Sequence, residues 1–84
     1  MSEEFVLDPE TLEKLAEAVH QVWMEGKLRD GWRQGDIIDK EKKIHTCLVP
    51  YNQLSEVDKE SDRDIARAIQ KILDIAGYKI VKKV

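Results

Sequence analysis

The chain has 84 residues, of which 42% are hydrophobic and 37% charged, and its formal net charge is −3; this is the profile of a soluble globular domain rather than a disordered or nucleic-acid-coating one. A chain of this length buries only about 60 to 65% of its unfolded surface, which points to one domain over residues 1–84 and argues against a deep enzyme cleft. Cys47 is the only cysteine, MSEEFVLD has no signal-peptide pattern, and no apolar run approaches membrane-spanning length, so the expected setting is reducing and cytoplasmic, with no membrane and no nucleic acid among the partners.

A first helix is predicted to start at Pro9, with Asp8 as cap and Glu10 in the first turn. Leu12, Leu15, Ala16, Val19, Val22 and Trp23 share one face at helical spacing, opposite Glu13, Lys14, Glu17 and Gln21. Gly26 is the expected left-handed end of this helix. The closely spaced Gly26, Gly31 and Gly35 then predict a compact corner.

Residues 36–43 are mostly charged and read as a solvated loop or hairpin. Ile44, Thr46, Val49 and Tyr51 are β-formers, so the stretch from Ile44 to Tyr51 is predicted to be extended and partly buried. The second helix has two candidate starts, Ser55 with Asp58 and Ser61 with Asp64. Its apolar stripe is Ile65, Ala68, Ile69, Ile72, Leu73 and Ala76, and Gly77 stops it. Tyr78 to Val84, YKIVKKV, is predicted to be a short terminal strand. The fold class is therefore α+β and mostly helical: two main helices, an irregular wrapped middle segment and short β-strands.

Few residues carry reactive chemistry. His20, His45 and Cys47 are too few for a structural zinc site, although His45 and Cys47 point the same way if their segment is extended. Their simpler reading is a packed imidazole and a buried thiol. No sequence context activates Cys47 as a nucleophile, and Gly31-Trp32-Arg33-Gln34-Gly35 is not a phosphate loop, so neither an enzyme nor a cofactor is expected. The two tryptophans are either core residues or a stacking surface. In the second case Trp23, His20, Lys27, Arg29, Trp32 and Arg33 form a candidate ligand site, with the indoles against a planar ligand and the cations against its negative charge.

HQVWMEGKLRDGW followed by KIHTCLVPYNQLSEVDKESDRDIARAIQKILDIAGYKI resembles the RYR repeat of ryanodine receptors, a domain that also occurs alone in prokaryotes and viruses. The resemblance runs from about Leu12 to Ile80 and rests on His20, Trp23, Gly31, Trp32, Gly35, His45, Leu48, Val49, Pro50 and Tyr51, then Leu54 and the Gly77-Tyr78 helix end. It implies a helical module whose middle wraps across the helices, with Leu48, Val49, Pro50 and Tyr51 as an apolar clamp. In the receptors such repeats pair in tandem about a pseudo-twofold, and at least one pair is similar to an adenine-nucleotide site lined by tryptophans; Trp23 corresponds to the stacking one. The chain departs from the receptor pattern at Arg33, Gln34 and Thr46. The resemblance implies a noncatalytic interaction module that binds a protein or a small planar anionic ligand. The alternative is a homodimeric sensor of an adenine nucleotide or similar anion, formed by self-association.

Overall fold

In the computed structural model, which describes residues 7–81 and 83, helix α1 spans Pro9–Arg29 and helix α2 spans Glu56–Ala76, 21 residues each. Both start where local chemistry dictates. Asp8 Oδ1 accepts the N–H of Thr11 at 2.7 Å, and Ser55 Oγ accepts the N–H of Asp58 at 3.2 Å, each satisfying a donor with no partner inside its helix. Ser61 lies within α2 and starts nothing.

The end of α1 differs from expectation. The helix runs through Gly26 to Arg29, and the left-handed residue is Gly31, at φ 90°. The N–H groups of Asp30 and Trp32 bond back to the carbonyls of Gly26 and Lys27, so the chain turns one helical turn later than the first glycine allows. At the other end of the molecule α2 stops as anticipated at Gly77.

The middle segment is held by a minimal sheet. Strand β1, Arg33–Gln34, pairs in parallel with β2, Ile44–His45, in the register Arg33 to Ile44 and Gln34 to His45. The charged loop between them closes at a bridge from Asp39 to Ile44, and the Asp39 carboxylate caps the N–H groups of Glu41 and Lys42. Gly35 sits so close to Ile44 that a Cβ there would collide with the Cγ2 methyl. The Gln34 carboxamide donates to Thr46 O at 2.9 Å and accepts the N–H of Leu48 at 2.7 Å, which extends the pairing where the backbone ladder has ended. Only Ile44 and His45 of the predicted extended stretch form a strand; a turn follows at Thr46 and Cys47, then one 3-10 turn, Tyr51–Gln53.

The core is small and partly polar. Ala16 and Ala66 have no exposed surface, Leu48 and Leu54 are buried, and so is His20. The predicted stripe on α2 is largely uncovered: Ile65 is 46% exposed, Ile69 40% and Ile72 61%. Polar ties set the rotation of the helix. Arg63 donates through Nε and Nη2 to the two carboxylate oxygens of Glu13, Tyr51 Oη donates to Glu13 at 3.0 Å, and Asp62 faces His20. With Asp62, Arg63 and Ala66 turned toward α1, residues 65, 69 and 72 lie on an adjoining face. On α1, Val22 is likewise exposed and lies outside the packed face.

Tyr78 to Val81 form no strand. β-forming side chains need an edge to pair with, and no strand of the two-residue sheet pairs with this segment. The remainder of the predicted strand includes residues 82 and 84, which lie outside the described residues.

Candidate functional site

A cleft of about 250 Å³ opens between α1, α2 and the turn after β2. Helix α1 supplies His20 and Trp23, one turn apart on the packed face. Strand β2 supplies His45 and the turn that follows it supplies Cys47. Helix α2 supplies Asp58, Ser61, Asp62 and Ile65, at the spacing that lines one helical face, and Leu54 completes the wall.

Its aromatic side is built around Trp23, which is half-buried. The His20 ring stacks on it with centroids 5.5 Å apart and planes at 28°, and His45 meets it edge-on at 5.0 Å. These are the offset and T-shaped arrangements that the ring quadrupoles favour. His20 is held through Nε2 and faces Asp62 with Nδ1. Nε2 lies 2.6 Å from Val49 O, and since a carbonyl only accepts, Nε2 donates. Nδ1 then lies 3.5 Å from Asp62 Oδ2. The other ring is also fixed, because His45 Nδ1 accepts the N–H of Cys47 at 3.0 Å, which places the proton of the neutral imidazole on Nε2.

The opposite side is acidic. Burial pushes the Asp62 carboxyl up from its ordinary value; His20 opposes that shift and Asp58 adds to it. Asp58 Oδ2 accepts from Ser55 Oγ at 3.0 Å and from Cys47 Sγ at 3.6 Å. Burial pushes the Cys47 thiol up as well, with the Thr46 hydroxyl opposing and the Asp58 charge reinforcing the shift. That shift disfavours the thiolate, the form that a nucleophilic cysteine uses.

Of the six residues singled out from sequence, His20 and Trp23 line the cleft. The other four lie outside its lining. Lys27 Nζ stands over the half-buried Trp32 ring at 4.4 Å and lies 6.0 Å from the Trp23 centroid. Trp32 approaches His45 with ring centroids 6.2 Å apart. Arg29 and Arg33 are exposed. From sequence Asp58 is expected only at a helix start and Asp62 is not singled out; the spacing of Asp58, Ser61, Asp62 and Ile65, polar beside apolar on one face, is the signal that identifies them. His45 and Cys47 were weighed as metal ligands, and among the described residues no group of three or more His, Cys, Asp or Glu side chains is arranged to hold a metal ion. A larger hollow of about 540 Å³ is lined by α2 alone, from Glu56 to Asp64, and is a surface depression on one helix, not a gap between elements.

Two capped helices joined by a glycine-cornered middle, with histidine and tryptophan of the first helix facing a histidine on a minimal sheet, define a mostly helical α+β module with an aromatic-walled cleft. The family model of the RyR domain matches residues 7–82, and the chain belongs to that family. No helix among the described residues is long and apolar enough to cross a membrane.

Proposed function

We propose that the chain is a noncatalytic binding module of the RyR-domain type whose ligand seat is the cleft between α1 and α2. The observation that carries this reading is Trp23, a half-buried indole braced by two imidazoles and turned toward an open, chemically mixed cavity. Apolar and aromatic walls with a few convergent polar groups are the usual composition of a ligand site. Noncatalytic action is supported by the same geometry: His20 Nε2 is committed to the Val49 carbonyl, and Cys47 bonds through its sulfur to Thr46 and Asp58 rather than to a histidine. A cleft of this volume lies below the ~300–1,000 Å³ common for drug-sized ligands and so suits a planar group or head group, with the remainder of a larger ligand outside. A phosphate carried by such a ligand would lie outside the cleft, where Lys27 stands beside the two indoles. Calorimetry with adenosine and adenosine monophosphate, on wild type and Trp23→Ala, tests the planar-ligand form. Stacking contributes about 1–3 kcal/mol, so the variant should lose roughly a factor of ten or more in affinity; equal binding by both proteins would remove Trp23 from the site.

A second reading, pairing of two copies into a sensor, is favoured by the uncovered stripe on α2. Ile65 lines the cleft and begins the row continued by Ile69 and Ile72, so a partner seated on that row would also border the ligand. Exposed apolar rows of this kind mark interaction surfaces. Sedimentation of the wild type against Ile69→Asp tests it: association lost in the variant supports pairing, and a wild type that stays monomeric at high concentration contradicts it.

A further inference from the structure

The charges around the cleft specify its ligand further, granted that the cleft is the binding seat. Two carboxylates one helical turn apart, Asp58 and Asp62, line it together with the hydroxyl-bearing Ser61. Among the described residues, no lysine or arginine lines it. Lys27, the nearest cation to Trp23 that the ring contacts identify, is closer to Trp32, and Arg63 turns away to Glu13, Glu56 and Glu60. The acids are thus brought close on one face without a lysine or arginine between them, and Asp62 faces the His20 imidazole. Facing these acids are the rings of Trp23, His20 and His45, whose π-faces are negative.

We propose that the cleft takes an organic cation bearing N–H donors, an ammonium or guanidinium head group, between the Trp23 ring and the Asp58 and Asp62 carboxylates. Both kinds of attraction, charge-assisted hydrogen bonds to carboxylate and cation–π contact with indole, favour the same ligand charge. Burial is what raises the Asp62 carboxyl; a cation supplying N–H groups would compensate for the water that the carboxylate has lost. An anion placed in the same space meets two like charges at close range and is disfavoured. The head group can belong to a free amine or to a lysine or arginine side chain of a peptide, and the volume accommodates either.

The test compares n-butylguanidinium with n-butylurea, which share a shape and differ in charge, by following the Trp23 indole N–H resonance of the folded protein. The guanidinium should saturate and bind at least about tenfold more tightly than the urea, the factor that one charged hydrogen bond contributes. Asp58→Asn and Asp62→Asn should each remove about that factor. If either substitution unfolds the chain, the guanidinium-to-urea ratio on the wild type still decides the matter. Equal binding of the two probes, or tighter binding of adenosine monophosphate at the same indole, would overturn the cationic ligand while leaving the cleft as a site. Failure of every probe to move the Trp23 resonance would instead overturn the cleft itself. Acetyl-Gly-Arg-Gly-amide separates the sources: tighter binding than n-butylguanidinium assigns the head group to a peptide, and weaker binding assigns it to a free amine.

Discussion

His20→Ala is the substitution that reaches furthest into the structure. Among the described residues His20, 3% exposed, is the only buried ring, in a core otherwise made of Ala16, Leu48, Leu54 and Ala66. Its imidazole donates to Val49 O, 29 residues away in sequence, and stacks on Trp23; it therefore fastens the wrapped middle segment to α1. Truncation leaves the Val49 carbonyl without its donor, at about 1–3 kcal/mol, and forfeits a ring stack of about 0.5–1.5 kcal/mol. Because such terms overlap, the expected loss is about 3 kcal/mol, a large part of the ~5–15 kcal/mol available to a domain. Urea unfolding followed by far-UV circular dichroism reads it directly. With a slope of about 1 kcal/mol per molar, the midpoint should fall by about 2 to 3 M. His20→Gln, whose amide N–H can still reach a carbonyl, should lie between wild type and Ala. An alanine variant within about 0.5 kcal/mol of wild type, the range of ordinary surface substitutions, would refute the role of His20 as the fastening between the two segments.

Gly35→Ala should destabilise the chain and disturb the β1–β2 pairing, since the added methyl collides with Ile44; loss of slow amide exchange at Gly35, whose N–H donates to His45 O, is the check. Gln34→Ala should lower stability by about 1–2 kcal/mol in chemical unfolding, because the Leu48 N–H loses its acceptor. Acid should weaken the fold through Glu13 and Glu60. Arg63 chiefly holds the first carboxyl below the ordinary 4.5 and Arg67 the second, so their contribution is present above pH 4.5 and is lost as pH falls through the lower folded values. Asp62, raised by burial, works in the opposite direction, its protonation favouring the folded state. Glu13→Gln should therefore give a shallower loss of melting temperature below pH 4.5, and an unchanged acid limb would contradict the assignment. Ile72→Asp, at a position 61% exposed, should change monomer stability by less than about 0.5 kcal/mol while abolishing any self-association seen by sedimentation.

The helix starts were legible because they depend on residues three apart: Asp8 with Thr11, and Ser55 with Asp58. The RyR-domain membership was legible for a different reason, the order of unlike motifs along most of the chain. The rotation of α2 was not. It depends on Glu13 and Arg63, 50 residues apart, and on His20 and Asp62, whereas periodicity within α2 identifies only its most apolar face, Ile65, Ile69 and Ile72. Gly26 shows the same limit at short range: any of three glycines could close α1, and the bond of the Trp32 N–H to Lys27 O selects Gly31. At the candidate site, the histidine and tryptophan of α1 were found from their types and their family positions. Asp58 was legible only as the partner of Ser55, and Asp62 not at all, because an acid on a helix is usually solvated; only the fold brings them to the cleft that Trp23 lines. Lys27, Arg29 and Arg33 were grouped with the indoles by proximity in sequence, yet two of them are exposed and none lines the cleft.

The claim on which the functional account depends is that the α1–α2 cleft, and no other surface, is where a small ligand binds. Two-dimensional proton–nitrogen NMR of the labelled chain during titration with n-butylguanidinium and adenosine tests it residue by residue. The account predicts that shift changes for at least one of them gather at the Trp23 indole and at the amides of His45, Cys47, Ser61 and Asp62, the groups that line the cleft. Saturable changes gathered instead at Val57, Glu60 and Asp64, around the hollow on the outer side of α2, or none at the Trp23 indole with either probe, would contradict it.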